Sequence, residues 1–141
     1  MKFSNLSLQA ECHGTPLQLI VRFDSEIIFD QLLTESAVIT HEFPDESCVH
    51  TIELEMVGKL PSHTTLDSAG NIVSDCLIEI TQIQIAGIDI TPVFLPASKY
   101  THNFNGTKET DTYDFYGSMG CNGVVEFAFD GPVYRWLLES L

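Results

Sequence analysis

Basic residues are scarce in this sequence: Lys and Arg number 6 against 20 Asp and Glu, for a formal net charge of -14. Spread over the roughly 7,000 Å² that a folded chain of this mass exposes, that is about one unbalanced negative charge per 500 Å². Such a surface repels phosphate, which excludes nucleic acid and anionic lipid, both held mainly through Lys and Arg. Long apolar runs are missing as well, so no transmembrane helix is expected. The opening stretch from Met1 to Gln9 alternates apolar and polar residues. It lacks the continuous apolar segment and small-residue cleavage site of a signal peptide, which points to a soluble protein made and kept inside the cell. There is no CxxC pair. Cys12, Cys48, Cys76 and Cys121 stand 36, 28 and 45 positions apart, which excludes a zinc ribbon and reads as free, mostly buried thiols. Neither a repeat, a low-complexity tract nor a linker interrupts the chain, so residues 1–141 are read as one domain.

What is present is alternation with a period of two. Leu17, Leu19, Val21 and Phe23 fall on one face of a strand with Gln18 and Arg22 on the other, and Asp24-Ser25 reads as the turn into a second strand at Ile27-Ile28-Phe29. A helix through Ile28, Leu32 and Leu33 competes with that second strand. Ala37–Phe43 and Val49–Val57 read as two more strands, and Asp67–Asn71 as a tight turn. From Ile72 to Phe94 the density of β-branched residues predicts two strands joined near Gln82–Gln84 or at Ala86-Gly87. Residues 98–123 form a loop-rich region with short strands near 100–104 and 113–116. Gly123–Phe129 is a last strand, and Pro132 opens the single expected helix, 132–139. The fold class expected is therefore all-β: a two-sheet antiparallel β-sandwich, jelly-roll-like, with a short C-terminal helix, a closed barrel being the alternative.

The sequence offers several arrangements that chemistry could use. Cys48 and His50, two apart on a strand, share a face and provide two zinc ligands, but no second pair stands at matching spacing. Ser118 lies between glycines without the setting of a nucleophile elbow, and Cys121 has no cationic neighbour in sequence to activate it. Glu53 and Glu55 read as the solvent face of a strand. No enzyme is expected on these grounds. In the 98–123 region Asn105, Glu109, Asp111 and Asp114 are hard oxygen donors of the kind calcium takes, at spacings unlike an EF-hand. Beside them, Tyr113, Tyr116 and, further on, Trp136 are the aromatics selected to stack on a sugar ring while amides and carboxylates take its hydroxyls.

Residues 58–64 (Gly-Lys-Leu-Pro-Ser-His-Thr), the 67–71 turn, Tyr100–Thr107, Phe115-Tyr116-Gly117 and the ending Phe127–Phe129 with Pro132–Glu139 resemble small acidic proteins of marine tailed phages, cyanophages especially. The strand ends Phe23-Asp24 and Phe29-Asp30 resemble, more loosely, calcium-dependent carbohydrate-binding sandwiches, without their run of aspartates. These resemblances imply a non-enzymatic binding or structural module that contacts a polysaccharide or another virion protein through the 98–123 loops. Calcium is the cofactor they suggest. The host cytoplasm or the virion is the location, and homo-oligomers through free strand edges are allowed. Two other functions compete: an acidic protein that binds a basic partner by charge, and a cupin-like metal enzyme with histidines converging inside the sandwich.

Overall fold

A computed structural model describes residues 2–140; Met1, where the first expected strand begins, and Leu141 lie outside the described residues. The strands are β1 (Phe3–His13), β2 (Gln18–Phe23), β3 (Glu26–Leu32), β4 (Ala37–Pro44), β5 (Val49–Val57), β6 (Thr65–Leu66), β7 (Ile72–Ser74), β8 (Leu77–Ile85) and β9 (Ile88–Asp89). Helix α1 (Thr91–Ala97) follows, then β10 (Lys99–His102), β11 (Asp111–Asp114), β12 (Ser118–Met119), β13 (Gly123–Asp130) and helix α2 (Val133–Ser140). One sheet has the order β12-β8-β1-β4 with β9 on β8; the other runs β11-β10-β13-β5-β2-β3; β6 and β7 form a small separate ribbon. Every pairing is antiparallel. The fold is thus the expected β-sandwich.

Alternation sets which side chains meet. Leu6, Leu8 and Ala10 of β1 and Ile39 and Phe43 of β4 face Leu19, Val21 and Phe23 of β2, Ile52, Leu54 and Met56 of β5, and Phe127 and Phe129 of β13 in one continuous core. Burying a side chain of this size contributes about 1.5–3 kcal/mol each. In β8 the inward positions Ile78 and Ile80 are followed by Ile83 and Ile85, out of phase by one residue. Gln82, at φ 52°, absorbs the extra residue as the pairing with β1 shifts between Ser7 and Gln9, so both halves of the strand stay buried. The chain then turns at Ala86-Gly87, with φ 55° and 75°, and not near Gln82–Gln84. Asp24 and Ser25, at φ 49° and 69°, make the β2–β3 hairpin turn, and β3 stands where a helix through Ile28, Leu32 and Leu33 was the alternative.

Two expectations are corrected. The apolar run does not stay extended to Phe94: Asp89 Oδ1 accepts the Thr91 N–H at 2.9 Å, Pro92 sits in the first turn, and α1 carries Phe94 into the core against Phe127 and Phe115. The chain therefore has a second α-helix. The thiols are free, but only Cys76 is buried; Cys12 and Cys121 are half-buried and Cys48 is exposed. The C-terminal helix is where it was expected, and Asp45 Oδ1 accepts the Val133 N–H at 2.8 Å from across the fold, satisfying one of its free first-turn donors. Among the described residues no helix is long and apolar enough to cross a membrane.

Candidate functional site

The outward positions of the five-stranded sheet carry a polar row. Asn5, Ser7 and Gln9 alternate with the buried positions of β1, and register places Asn5 opposite Glu42, with Ser7 between Thr40 of β4 and Gln84 of β8. Asn5, Ser7, Thr40, Glu42 and Gln84, with Asp45 as a second carboxylate, line a groove of about 530 Å³, within the range of about 300–1,000 Å³ of small-molecule sites. Phe3 and Tyr134 border it with half their surface exposed, at 50% and 53%, and the Lys2 ammonium stands 5.2 Å from the Tyr134 ring centroid. Donors and acceptors beside aromatic edges are what hydroxyl-rich ligands use. The signal in the sequence is Asn5-x-Ser7 on one strand face, but only register joins it to Thr40, Glu42 and Gln84.

The aromatic residues selected from sequence are divided by the fold. Tyr116 is 83% exposed. Tyr113 is half-buried at the rim of the six-stranded sheet, stacked on His102 with ring centroids 4.6 Å apart and edge-on to Phe104 at 5.4 Å. Burial holds the His102 imidazole below its ordinary range, and its Nδ1 accepts the Phe104 N–H at 3.1 Å. Trp136 is a correction: it is 9% exposed, its ring lying 5.2 Å from Phe129 and 5.9 Å from Phe127, so it closes the core instead of offering a face to a sugar.

The four oxygen donors chosen for calcium do not converge. Asp111 and Asp114, three apart on β11, point to opposite faces of the sheet. Asp114 pairs with Lys99 Nζ at 2.8 Å, which holds its carboxyl below the ordinary range. Asn105 Oδ1 accepts the Asn122 N–H at 2.8 Å, Asp111 Oδ1 accepts the Thr112 N–H at 2.8 Å, and Glu109 is exposed in the intervening loop. These residues do not fit one calcium ion. Among the described residues, the one group of three His, Cys, Asp or Glu side chains whose ligand atoms lie within 4.8 Å of one another is Glu11, His13 and Glu79, on the outside of the sheet. It contains an imidazole, which calcium does not favour.

The interior histidines are also separated. His102 belongs to the Tyr100–Tyr113 cluster, whereas His50 is enclosed by Phe23, Phe43 and Phe129. No shared centre of the cupin-like kind forms from them. Cys48 and His50 do meet, Sγ to Nε2 at 3.6 Å, but the other ring nitrogen goes to Asp24 and no further ligand joins them. Ser118 pairs opposite Glu79 on the short β12. Cys121 donates its N–H to the Tyr100 hydroxyl, which in turn donates to the Cys121 carbonyl, and burial pushes its thiol up. Glu53 and Glu55 face outward as expected, Glu55 pairing with Arg22 at 3.0 Å.

No protein-family model and no curated protein matches the chain. Two solved structures do. One is the selenomethionine form of vCBM60, from work linking two families of calcium-dependent carbohydrate binding modules by circular permutation; it is 10% identical, with 88% of this chain and 89% of that one aligned at a TM-score of 0.54. The other is vCBM60 in complex with galactobiose, 12% identical over 87% and 96% of the two chains, with a TM-score of 0.48. At such identity the first likeness establishes the fold, a β-sandwich of the kind seen in carbohydrate-binding modules.

Proposed function

We propose that this chain is a non-catalytic glycan-binding module that takes a short saccharide segment along the groove of the five-stranded sheet. The observation that carries the reading is the polar row Asn5, Ser7, Thr40, Glu42 and Gln84 beside the exposed rings of Phe3 and Tyr134. The fold likeness to a carbohydrate binding module supports it. Because the surface carries a net charge of -14, neutral polysaccharides are the expected ligands and polyanionic ones are repelled. Calcium is not needed in this reading, since the groove binds hydroxyls directly and the donors at 105–114 face different ways. The test is affinity electrophoresis against a panel of neutral polysaccharides, where retention by at least one is expected and migration unchanged by all of them overturns the reading.

The Tyr113–Tyr116 corner supports a second contact surface, since Tyr116 is almost fully exposed beside the stacked Tyr113. Substituting both tyrosines by alanine tests it by the same retention. Association with a phage particle rests on the sequence resemblance alone, and co-purification with particles tests it.

A further inference from the structure

Cys48, His50 and Asp24 form a relay that the glycan-binding reading does not use. His50 Nδ1 lies 2.7 Å from Asp24 Oδ2, while its Nε2 lies 3.6 Å from Cys48 Sγ. A carboxylate only accepts, so it selects the tautomer with the proton on Nδ1, and Nε2 is left as an acceptor aimed at the thiol. The imidazole has little freedom to turn: it is 3% exposed and enclosed by the rings of Phe23, Phe43 and Phe129, with centroids 5.1–5.4 Å away. Asp24 is itself fixed, because its Oδ1 accepts the Thr51 N–H at 2.8 Å and its own N–H bonds the Thr51 carbonyl at 2.8 Å. Cys48 is exposed at the other end of the relay. It lies beside a hollow of about 340 Å³ lined by Ser47, Asp130, Arg135, Trp136 and Glu139 among others.

We propose that Cys48 is a base-activated thiol, a modification site that exchanges with small disulfides. As Sγ bonds to one sulfur of R–S–S–R, its proton passes to His50 Nε2; the S–S bond breaks, and the departing thiolate takes that proton back from the imidazolium. Cys48–SH and R–S–S–R become Cys48–S–S–R and R–SH, the Cys48 sulfur being oxidised and the departing sulfur reduced. Partial desolvation and the nearby carboxylates of Glu46 and Asp24 push the free thiol up, so the resting thiol keeps its proton and the base acts during attack. Acyl transfer is the less suited reaction. The Cys48 N–H is bonded to the Glu46 carbonyl at 2.9 Å and the Gly131 N–H to the Cys48 carbonyl at 2.8 Å, so neither is free to stabilise an oxyanion. Exchange at sulfur develops no oxyanion and needs no such donor.

The test is the rate of thiopyridone release from the neutral probe 4,4′-dithiodipyridine at pH 7, with C48S, H50Q and D24N beside the native chain. One thiol per chain is expected to react at least ten-fold faster than the other three, and faster than the same thiol in the chain unfolded by guanidinium. C48S removes that phase. H50Q slows it about ten-fold, with folding checked by circular dichroism. D24N, at a half-exposed position, slows it several-fold because an amide allows the tautomer with Nε2 protonated. The proposal is overturned if the fast phase survives in C48S, if folded D24N reacts at the native rate, or if the native Cys48 is slower than in the unfolded chain.

Discussion

The ammonium of Lys59 lies 2.6 Å from Asp75 Oδ1, with only 2% of the lysine side chain exposed. Lys59 Nζ also donates to the Gly120 carbonyl at 2.6 Å, and its backbone exchanges hydrogen bonds with the Asn122 side chain at 2.9 Å. One of the chain's few cations is therefore spent inside the fold, tying the end of β5 to the 75–76 and 120–122 segments. Removing Asp75 leaves that charge buried without its partner. D75N is expected to cost about 3 kcal/mol in urea unfolding, and a loss under about 1 kcal/mol counts against the pair as a structural tie.

The same pair predicts a pH dependence. Desolvation alone raises the Asp75 carboxyl, but the hydrogen bonds from Lys59 Nζ, Thr64 Oγ1 and the Cys76 N–H outweigh it and hold the group below the ordinary carboxylate range. With the folded value below the unfolded one of about 3.9, the stabilisation is complete above that pH and is lost as pH falls through the folded value. The urea midpoint of the native chain should drop on acidification below about pH 4, and the drop should be smaller in D75N. Equal slopes for the two chains would rule Asp75 out as the group responsible.

Gly131 is held by space. A Cβ there would lie 1.8 Å from the Glu46 carbonyl oxygen, and the Gly131 N–H is already bonded to Cys48. G131A must push β13 and the 46–48 segment apart, at a cost of about 1–3 kcal/mol. Thermal unfolding measures it, and an unchanged midpoint would show that the contact yields freely.

Two aromatic substitutions separate core from groove. W136A empties a site packed on Phe127 and Phe129 and should destabilise by about 3–5 kcal/mol. Y134A removes a half-exposed ring at the groove edge and should leave the melting temperature within a few degrees while weakening polysaccharide retention about ten-fold, on the order of 1.4 kcal/mol. Retention unaffected by Y134A and Q84A together would place the ligand elsewhere.

Chelation gives a further separation. Because Asp111 and Asp114 face opposite sides of β11, retention on a neutral polysaccharide is expected to persist in excess EDTA. Loss of retention that added calcium restores would require a ligand set outside 105–114.

The strands could be read from sequence because a half-buried strand must alternate, and β2, β5 and β13 do so without interruption. The Asp24-Ser25 turn was legible because a polar pair interrupts two apolar runs, whereas Ala86-Gly87 stood as one of two places for the second turn until the β8–β9 pairing chose it. The run through Ile90 and Phe94 misled because β-branched composition outweighed Pro92 and Asp89, whose capping role appears only once Thr91 N–H is seen to need an acceptor. Trp136 misled in another way: an aromatic in a short amphipathic helix is compatible with either role until the helix is docked.

By itself, then, the sequence determined that this protein is an antiparallel all-β chain with an acidic surface and a terminal helix, because period-two burial and charge are local properties of the chain; two open sheets, and not a closed barrel, were decided by strand pairing. Tertiary structure alone decided the rest. Which polar residues share the groove depends on register between β1, β4 and β8. That Asp24, His50 and Cys48 stand in line depends on a hairpin turn meeting the start of β5. Both are contacts between residues distant in sequence, and no local pattern encodes their geometry.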